Sequence, residues 1–287
     1  MAQNVFHISV EYPFSLKLTA LSHGWVNLPP YKWDSESEVL SRCDKTGQTL
    51  VAWSVRQVAP EALAITTNTK LDDDMQSSLK TLVSYCLMLD WSPEDAMTVA
   101  KGLNPQAAEF MERGGGRFLR GASFYEDFYK TLCTINTSWT NTIQMITALH
   151  DHFGKGASLS PGMVCRSEPK KLQKLGRLGY RAQILYDSTN LLVSNHVISP
   201  EKGDLTVPLE KADLLSIHGI GHYAANHLRI LQCDYSHIPV DSEVRAYCLA
   251  KHNLSGDIND YYSSWGDFRF LGYKLERILE KQNWIGG

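Results

Sequence analysis

The first quarter of the chain alternates apolar and polar residues in short runs, which is the period of a half-buried strand. Turn residues separate the runs, notably Pro29-Pro30 and Asp44-Lys45-Thr46-Gly47. The pattern therefore predicts an antiparallel sheet near the N-terminus. The strand-like runs cover residues 5–10, 14–18, 49–55 and 63–66.

Beyond residue 71 the apolar residues recur at helical spacing, and residues that cap helices precede several of the runs. Three acidic residues at 72–74 suit a helix start, and Ser92-Pro93 and Asn104-Pro105 open two more helices. Strands followed by helices indicate an α+β protein, with an N-terminal antiparallel β-sheet domain before a mostly helical domain. The later helices are predicted over residues 123–134, 139–153, 168–175, 181–193, 243–251, 255–262 and 268–281.

The pattern also predicts how the chain divides. Residues 1–70 form the sheet domain, residues 71–115 are linking helices that pack on the helical domain, and residues 116–287 form the helical domain itself. The triplet Gly114-Gly115-Gly116 marks the second boundary. A helical hairpin is expected over residues 209–233.

The turn of this hairpin carries the strongest chemical signal. Gly219 and Gly221 interrupt one apolar helical run, and Ala224 and Leu228 begin another. A glycine turn that opens a helix presents unpaired N–H groups at the positive end of the helix dipole, where a phosphate binds. The alternative is a simple helical turn, and a Gly-x-Gly motif alone does not decide between them. Asp241 follows one short helix later and brings a carboxylate to the mouth of the hairpin.

Composition argues against a large surface for binding nucleic acid. The 287-residue chain is 43% hydrophobic and has a formal net charge of −3, so any contact with a nucleic acid must be local, from a few basic side chains and backbone amides. The six cysteines have no Cys-x-x-Cys spacing, which argues against a zinc ribbon or an iron–sulfur cluster. The sequence contains neither a secretory signal nor an apolar run long enough to span a membrane, so a cytoplasmic location without a membrane partner is expected.

The hairpin followed by Asp241 resembles the helix-hairpin-helix DNA glycosylase superfamily, above all 3-methyladenine glycosylase II and the 8-oxoguanine glycosylases. The segments at 116–126 and 175–182 support the resemblance, which runs from Phe14 to Trp284. It implies that Asp241 is the catalytic aspartate, that Asn136 and Thr137 fill the gap left by the flipped nucleotide, and that no cofactor is required. It further implies a phosphate site at the amides of Gly219, Gly221 and Tyr223, and a sodium or potassium ion held by the carbonyls of Leu215, Ile217 and Ile220.

Tyr223 departs from the relatives that also cut the DNA strand, because they place a lysine nucleophile at this position. We therefore predict a monofunctional enzyme that uses water and leaves an abasic site. Tyr223 and His227, one helical turn apart, are candidates for the base pocket, as are the rings of Tyr125 and Trp139. Plain packing remains the alternative for these side chains, and a helix cap or turn remains the alternative for the candidate gap-filling position.

The sequence thus predicts a monomeric, monofunctional DNA glycosylase that flips a modified base out of double-stranded DNA, in a bacterial-type cytoplasm at the nucleoid. Alkylated purines are the first choice of base. Oxidised purines and bulky hypermodified pyrimidines of phage DNA are the alternatives, so the role is either repair or defence. A non-catalytic DNA-binding module is the rival function, and a small-molecule enzyme is disfavoured because the sequence shows no cofactor fingerprint.

Overall fold

The computed structural model describes residues 4–11, 13–47 and 49–281. Two compact units divide these residues, and each unit is made of two separate chain segments. The first unit contains the described residues up to Asp90 together with Arg117–Pro208. The second contains Trp91–Gly116 and the described residues from Leu209 onward. The division predicted from the sequence, into residues 1–70, 71–115 and 116–287, follows the order of the chain and stays a prediction.

A five-stranded antiparallel sheet lies in the first unit, as the sequence predicts. The strands lie in the order β1-β5-β4-β3-β2, and each pairs antiparallel with its neighbours. Alternate residues of β5 are buried, which is the pattern of a sheet with one face on the core. The strands are β1 Asn4–Ser9, β2 Lys32–Asp34, β3 Val39–Thr46, β4 Thr49–Ala59 and β5 Ala62–Thr67.

The rest of the described chain is mainly helical, which confirms the α+β class. Short 3₁₀ turns cover Gly24–Asn27 and Ser263–Phe268, and a π turn at His150–Gly154 ends one helix. None of the described helices is both long enough and apolar enough to cross a membrane. The helices are α1 Leu16–Ala20, α2 Asp73–Cys86, α3 Glu94–Leu103, α4 Pro105–Glu112, α5 Phe124–Leu132, α6 Trp139–Leu149, α7 Pro161–Cys165, α8 Pro169–Leu175, α9 Arg181–Ser194, α10 Lys211–Ser216, α11 His222–Ile230, α12 Ser242–His252, α13 Ile258–Tyr261 and α14 Arg269–Lys281.

The strand predicted over residues 14–18 is wrong, because this segment begins helix α1. The Ser15 side chain accepts a hydrogen bond from the Leu18 amide at 3.2 Å and caps the helix. Leu16, Thr19 and Ala20 are buried at helical spacing. Five alternating residues do not separate the two periods, so the cap and the packing decide the outcome.

A network of buried charges joins the sheet to helix α5 in the first unit. Arg42 of β3 pairs with Asp44 at 2.7 Å and with Glu126 of α5 at 2.9 Å, and Lys130 pairs with Glu126 at 2.6 Å. The two cations balance the two carboxylates, as a buried ion network requires. Although burial opposes it, the charges of Arg42 and Lys130 hold the pKa of Glu126 far below its ordinary value.

Asp127 lies beside this network but has no cation of its own. Its Oδ1 atom accepts hydrogen bonds from Trp25 Nε1 and from the Gly121 amide, each at 2.7 Å. Its Oδ2 atom is buried without a hydrogen-bond partner among the described residues. Burial raises the pKa of Asp127 to about 7.

Candidate active site

The hairpin turn of the second unit joins α10 to α11 and is amphipathic. Leu214, Ile217 and Ile220 are buried, while both turn glycines are exposed. Gly219 has φ 86°, a left-handed conformation that L-residues with a Cβ adopt only with strain. The apolar residues therefore anchor the turn, and the glycine backbone faces solvent.

The backbone groups of this turn are suited to an anion. The Ile220 amide donates to the Ile217 carbonyl at 3.0 Å, which closes the turn, and Gly221 is the N-cap of α11. Within the described residues, the amides of Gly219 and Gly221 make no hydrogen bond. Both therefore remain available to a phosphate beside the positive end of the α11 dipole.

The carbonyls of Leu215, Ile217 and Ile220 are the predicted ligands of a monovalent cation, and each needs a free lone pair for that role. The Ile217 carbonyl already accepts one hydrogen bond but retains a second lone pair. Those of Leu215 and Ile220 accept none from any described residue. The donor set therefore fits an oxygen-coordinated cation such as sodium or potassium.

The chain segment just before Asp241 is hydrogen-bonded to α11, the second helix of the hairpin. Asn226 of α11 is buried and donates its side-chain amide to the Ile238 carbonyl at 3.2 Å. The Ile238 amide donates in turn to Asn259 Oδ1 at 2.8 Å. The segment that leads into Asp241 is thus fixed at both backbone groups of one residue, three positions before the carboxylate.

Only one of the two oxygens of the Asp241 carboxylate makes a hydrogen bond with a described residue. It is the N-cap of α12, and its Oδ1 atom accepts the Val244 amide at 2.8 Å. The Oδ2 atom makes no hydrogen bond with a described residue, and the side chain is half-buried. Capping therefore fixes the orientation of the carboxylate and leaves one oxygen free for chemistry.

Tyr223 and His227 lie one turn apart on α11, as their spacing predicts. Their rings are stacked, with centroids 6.1 Å apart and planes inclined by 20°. Burial lowers the pKa of His227 to about 4, and the charge of Lys274 on α14 acts in the same direction. The imidazole is therefore neutral at pH 7 and offers a hydrogen bond but not an acidic proton.

The candidate gap-filling residues belong to the first unit, where Asn136 and Thr137 form the turn before α6. Asn136 is exposed and has φ 47°, a left-handed conformation that asparagine tolerates. Arg181 of α9 donates to the carbonyls of Ile135 and Asn136, the latter at 3.2 Å. Ser138 caps α6 and bonds the Asn141 amide at 3.3 Å. The turn is held rigidly by its backbone, which leaves the Asn136 side chain exposed.

The two aromatic candidates of the first unit differ in accessibility. Tyr125 is 0% exposed, and its hydroxyl shares a 2.7 Å hydrogen bond with Thr189, so we leave it out of the proposed pocket as a core residue. Trp139 is 42% exposed, and its indole covers Gly24, where an added Cβ would lie 2.5 Å from Cη2. Trp139 therefore keeps a ring surface that can stack.

Sequence reasoning gave no role to three side chains that the structure singles out. Asn226 links the hairpin to the Asp241 segment, and only its place among small apolar residues of α11 hinted at this. Tyr180 is 57% exposed, with the Arg181 guanidinium 4.6 Å from its ring centre. Lys274 lies near His227 from a distant part of the sequence, and no local signal could have revealed this.

Comparison of whole structures finds similar proteins, whereas comparison of whole sequences finds none. No protein-family model matches the chain, and no curated protein matches it. A 3-methyladenine DNA glycosylase from Archaeoglobus fulgidus matches with a TM-score of 0.74 at 14% identity, over 98% of this chain and 100% of that one. MBOgg1 in complex with a low-affinity DNA ligand matches with a TM-score of 0.68 at 17% identity, over 97% and 99% of the two chains.

A third solved structure agrees with these two. The apo-form of an 8-oxoguanine glycosylase/lyase from Clostridium acetobutylicum matches with a TM-score of 0.70 at 14% identity, over 95% of each chain. The matches extend over nearly the whole chain in every case, although few residues are identical. The protein therefore has the fold of the 3-methyladenine and 8-oxoguanine DNA glycosylases, which confirms the fold that the resemblance in its sequence implies.

Proposed function

We propose that this protein is a DNA glycosylase that hydrolyses the N-glycosidic bond of a modified nucleotide and leaves an abasic site. The observation that carries the proposal is Asp241, a carboxylate with one uncommitted oxygen whose chain segment is bonded to the second helix of the glycine hairpin. The fold shared with solved DNA glycosylases supports it.

Binding is assigned to the hairpin. The backbone amides near Gly219, Gly221 and Tyr223 hold one DNA phosphate, with the α11 dipole behind them. The carbonyls of Leu215, Ile217 and Ile220 would hold a sodium or potassium ion, which would add positive charge to the hairpin. Such a local grip suits a chain whose formal net charge is −3.

Catalysis is assigned to Asp241. As the base leaves, positive charge builds on the sugar, and a fixed carboxylate stabilises this charge and orients or deprotonates the attacking water. The Val244 amide already holds the Oδ1 atom, so the carboxylate does not need to reorient during the reaction. Tyr223 occupies the position of the lysine nucleophile in the lyase relatives, and we therefore propose hydrolysis without strand cleavage.

The target base must leave the duplex before this chemistry begins. We assign the gap to the exposed Asn136 turn, whose backbone Arg181 holds. Tyr223, His227 and Trp139 remain the candidates for contact with the extruded base. Alkylated purines, oxidised purines and hypermodified pyrimidines are the candidate substrates, in repair or in defence against modified foreign DNA.

Duplexes carrying methylated, oxidised or hypermodified bases test the proposal, with alkali used to reveal abasic sites. We expect alkali-dependent breaks with the wild-type protein and a loss of at least about 100-fold with Asp241→Asn. Asparagine also caps helices, so this variant should keep its α12 cap. Asp257→Asn, the same change at the cap of α13, is the matched control and should retain activity.

Different results would point to different functions. Full activity of Asp241→Asn would remove the catalytic assignment, and breaks without alkali would overturn the absence of lyase activity. Tight binding without release of any base from a broad panel would favour a non-catalytic DNA-binding module. Mass spectrometry of the released bases identifies the substrate directly.

A further inference from the structure

Lys274 is a partly buried cation in the middle of α14. Its ammonium group makes no hydrogen bond or ion pair with any described residue. Arg277, one turn later, differs in this respect, since it donates to the Tyr273 hydroxyl at 2.7 Å and pairs with Glu243 at 2.5 Å. Partial burial of an unpaired charge is unfavourable, and such groups are candidates for functional sites.

Lys274 interacts electrostatically with groups on three helices of the second unit. His227 approaches it from α11, Glu243 from α12, and Arg277 and Lys281 from its own helix α14. These are the charged or titratable groups that act on it. Glu243 is the only anion among them, and Arg277 already binds it.

The same corner contains the proposed catalytic carboxylate. Tyr273 precedes Lys274 on α14, and although burial is the main cause of its raised pKa of about 12, the charge of Asp241 acts in the same direction. Arg277, one turn after Lys274 on α14, binds Glu243, which lies two residues after Asp241 at the start of α12. The part of α14 that carries Lys274 is thus one helical turn from the contact between α14 and the start of α12, where Asp241 is the N-cap.

The environment of Lys274 makes it a proton donor near neutral pH. Burial lowers its pKa to about 8, and the charges of Arg277 and Lys281 add to the effect. At pH 7 the group is mostly an ammonium ion, yet it gives up its proton far more readily than an ordinary lysine. His227 is already neutral at this pH, so Lys274 is the acid of the pair.

We propose that Lys274 contacts the extruded base and donates a proton to it as the glycosidic bond breaks, so that the preferred substrate is a neutral modified base. This rests on the proposed hydrolytic function and replaces alkylated purines as the first choice. Oxidised purines and hypermodified pyrimidines are neutral, whereas purines alkylated at N3 or N7 carry a positive charge that the ammonium group repels.

The protons and electrons of the step balance. The C1′–N bond breaks with its electron pair on the base, and the Lys274 ammonium protonates a nitrogen or oxygen of that base, so the base leaves neutral. Water adds to C1′ and loses its proton through Asp241 to solvent, and solvent reprotonates the Lys274 amine. A cationic base already leaves as a neutral molecule and requires no acid.

Single-turnover excision from two kinds of duplex tests this inference. One kind carries 8-oxoguanine or glucosylated 5-hydroxymethylcytosine, and the other carries N7-methylguanine. We expect Lys274→Gln to lose about 100-fold or more on a neutral base. The same variant should excise the cationic base at least as well as the wild type. Lys101→Gln, the same change at an exposed lysine of α3 in the same unit, is the control and should leave both rates almost unchanged.

Lys274→Arg separates charge from proton transfer, because a guanidinium keeps its proton in proteins. It should bind DNA as the wild type does and still lose neutral-base excision. In the wild type this excision should decline above about pH 8, where Lys274 loses its proton. That decline should be absent from excision of N7-methylguanine. DNA binding and a cooperative thermal transition confirm that each variant is folded.

Three results would overturn the inference. They are wild-type release of cationic bases only, unchanged neutral-base excision by Lys274→Gln, and a borohydride-trapped adduct with a preformed abasic duplex that depends on Lys274. The last would make the lysine a nucleophile instead of an acid. Each differs from failure of the proposed function, which shows as full activity of Asp241→Asn or no base release at all.

Discussion

Asn136 combines a backbone conformation that the fold requires with a proposed role in filling the gap in DNA. Its φ of 47° costs an alanine about 1–2 kcal/mol, costs asparagine less, and costs glycine almost nothing. Its backbone carbonyl is fixed by Arg181, and its side chain is exposed. The backbone requirement and the proposed gap-filling role can therefore be separated by substitution.

We expect Asn136→Gly to keep the free energy of unfolding and to lose base extrusion, because glycine fits the turn but leaves the gap in DNA empty. Asn136→Ala should lose both. Chemical denaturation measures the first property, and 2-aminopurine fluorescence beside the target base measures the second. Asn253→Gly, at φ 50° after α12, is the control. Wild-type extrusion by Asn136→Gly would place the gap-filling residue elsewhere.

At the scale of the element, the hairpin uses its two glycines for different reasons. Gly219 needs its left-handed backbone, whereas Gly221 has φ −95°, which any residue adopts. A Cβ on Gly221 would meet no atom of the described residues within 4 Å. Nothing in the described part of the fold therefore requires glycine at position 221, which leaves close approach of a ligand as the reason.

Gly221→Ala should fold as the wild type does and bind duplex DNA about 10-fold more weakly, because its methyl group lies where the phosphate approaches. Gly219→Ala should instead lower the free energy of unfolding by about 1–2 kcal/mol. Fluorescence anisotropy and denaturation distinguish the two effects. Gly256→Ala, whose Cβ would lie 3.9 Å from Leu254, controls for the added methyl group. Unchanged affinity of Gly221→Ala would argue against the phosphate site.

At the scale of the molecule, the buried charges of the first unit make its stability depend on pH. Arg42, Lys130, Asp44 and Glu126 balance one another, so a charged Asp127 would add an unmatched anion. Burial raises the pKa of Asp127 from 3.8 to about 7. The folded state thus binds a proton that the unfolded state has lost, and this group's contribution to stability declines as pH rises from about 4 to 7.

Asp127→Asn should remove that decline. Its Oδ1 atom can still accept from Trp25 and Gly121, and no charge needs to be buried at high pH. The free energy of unfolding of Asp127→Asn, minus that of the wild type, should increase by at least about 1 kcal/mol from pH 5 to pH 8. Denaturation curves at both pH values measure it. Asp72→Asn, at the exposed cap of α2, is the control. A difference independent of pH would contradict the assignment.

Local chemistry in the sequence determined where most helices begin and where the hairpin turns. Asp72, Asn104 and Ser123 lie at predicted helix starts, and each caps its helix in the structure. Such signals act through backbone groups two or three residues away, so the order of residues is enough to locate them. The glycine turn followed by an aspartate is equally local, and it carried the resemblance to the glycosylase fold.

Tertiary packing alone decided the rest. It made the run at 14–18 a helix, buried Tyr125, and joined Asn226 to the segment before Asp241. It also brought the charge of Lys274 to bear on His227, and our proposal of a neutral base starts from that placement. Burial and electrostatic neighbours depend on side chains far apart along the chain. The charge states at the proposed site were therefore decided by the tertiary structure, whereas adjacent residues determined the glycine turn, because a turn depends only on its own backbone and its nearest neighbours.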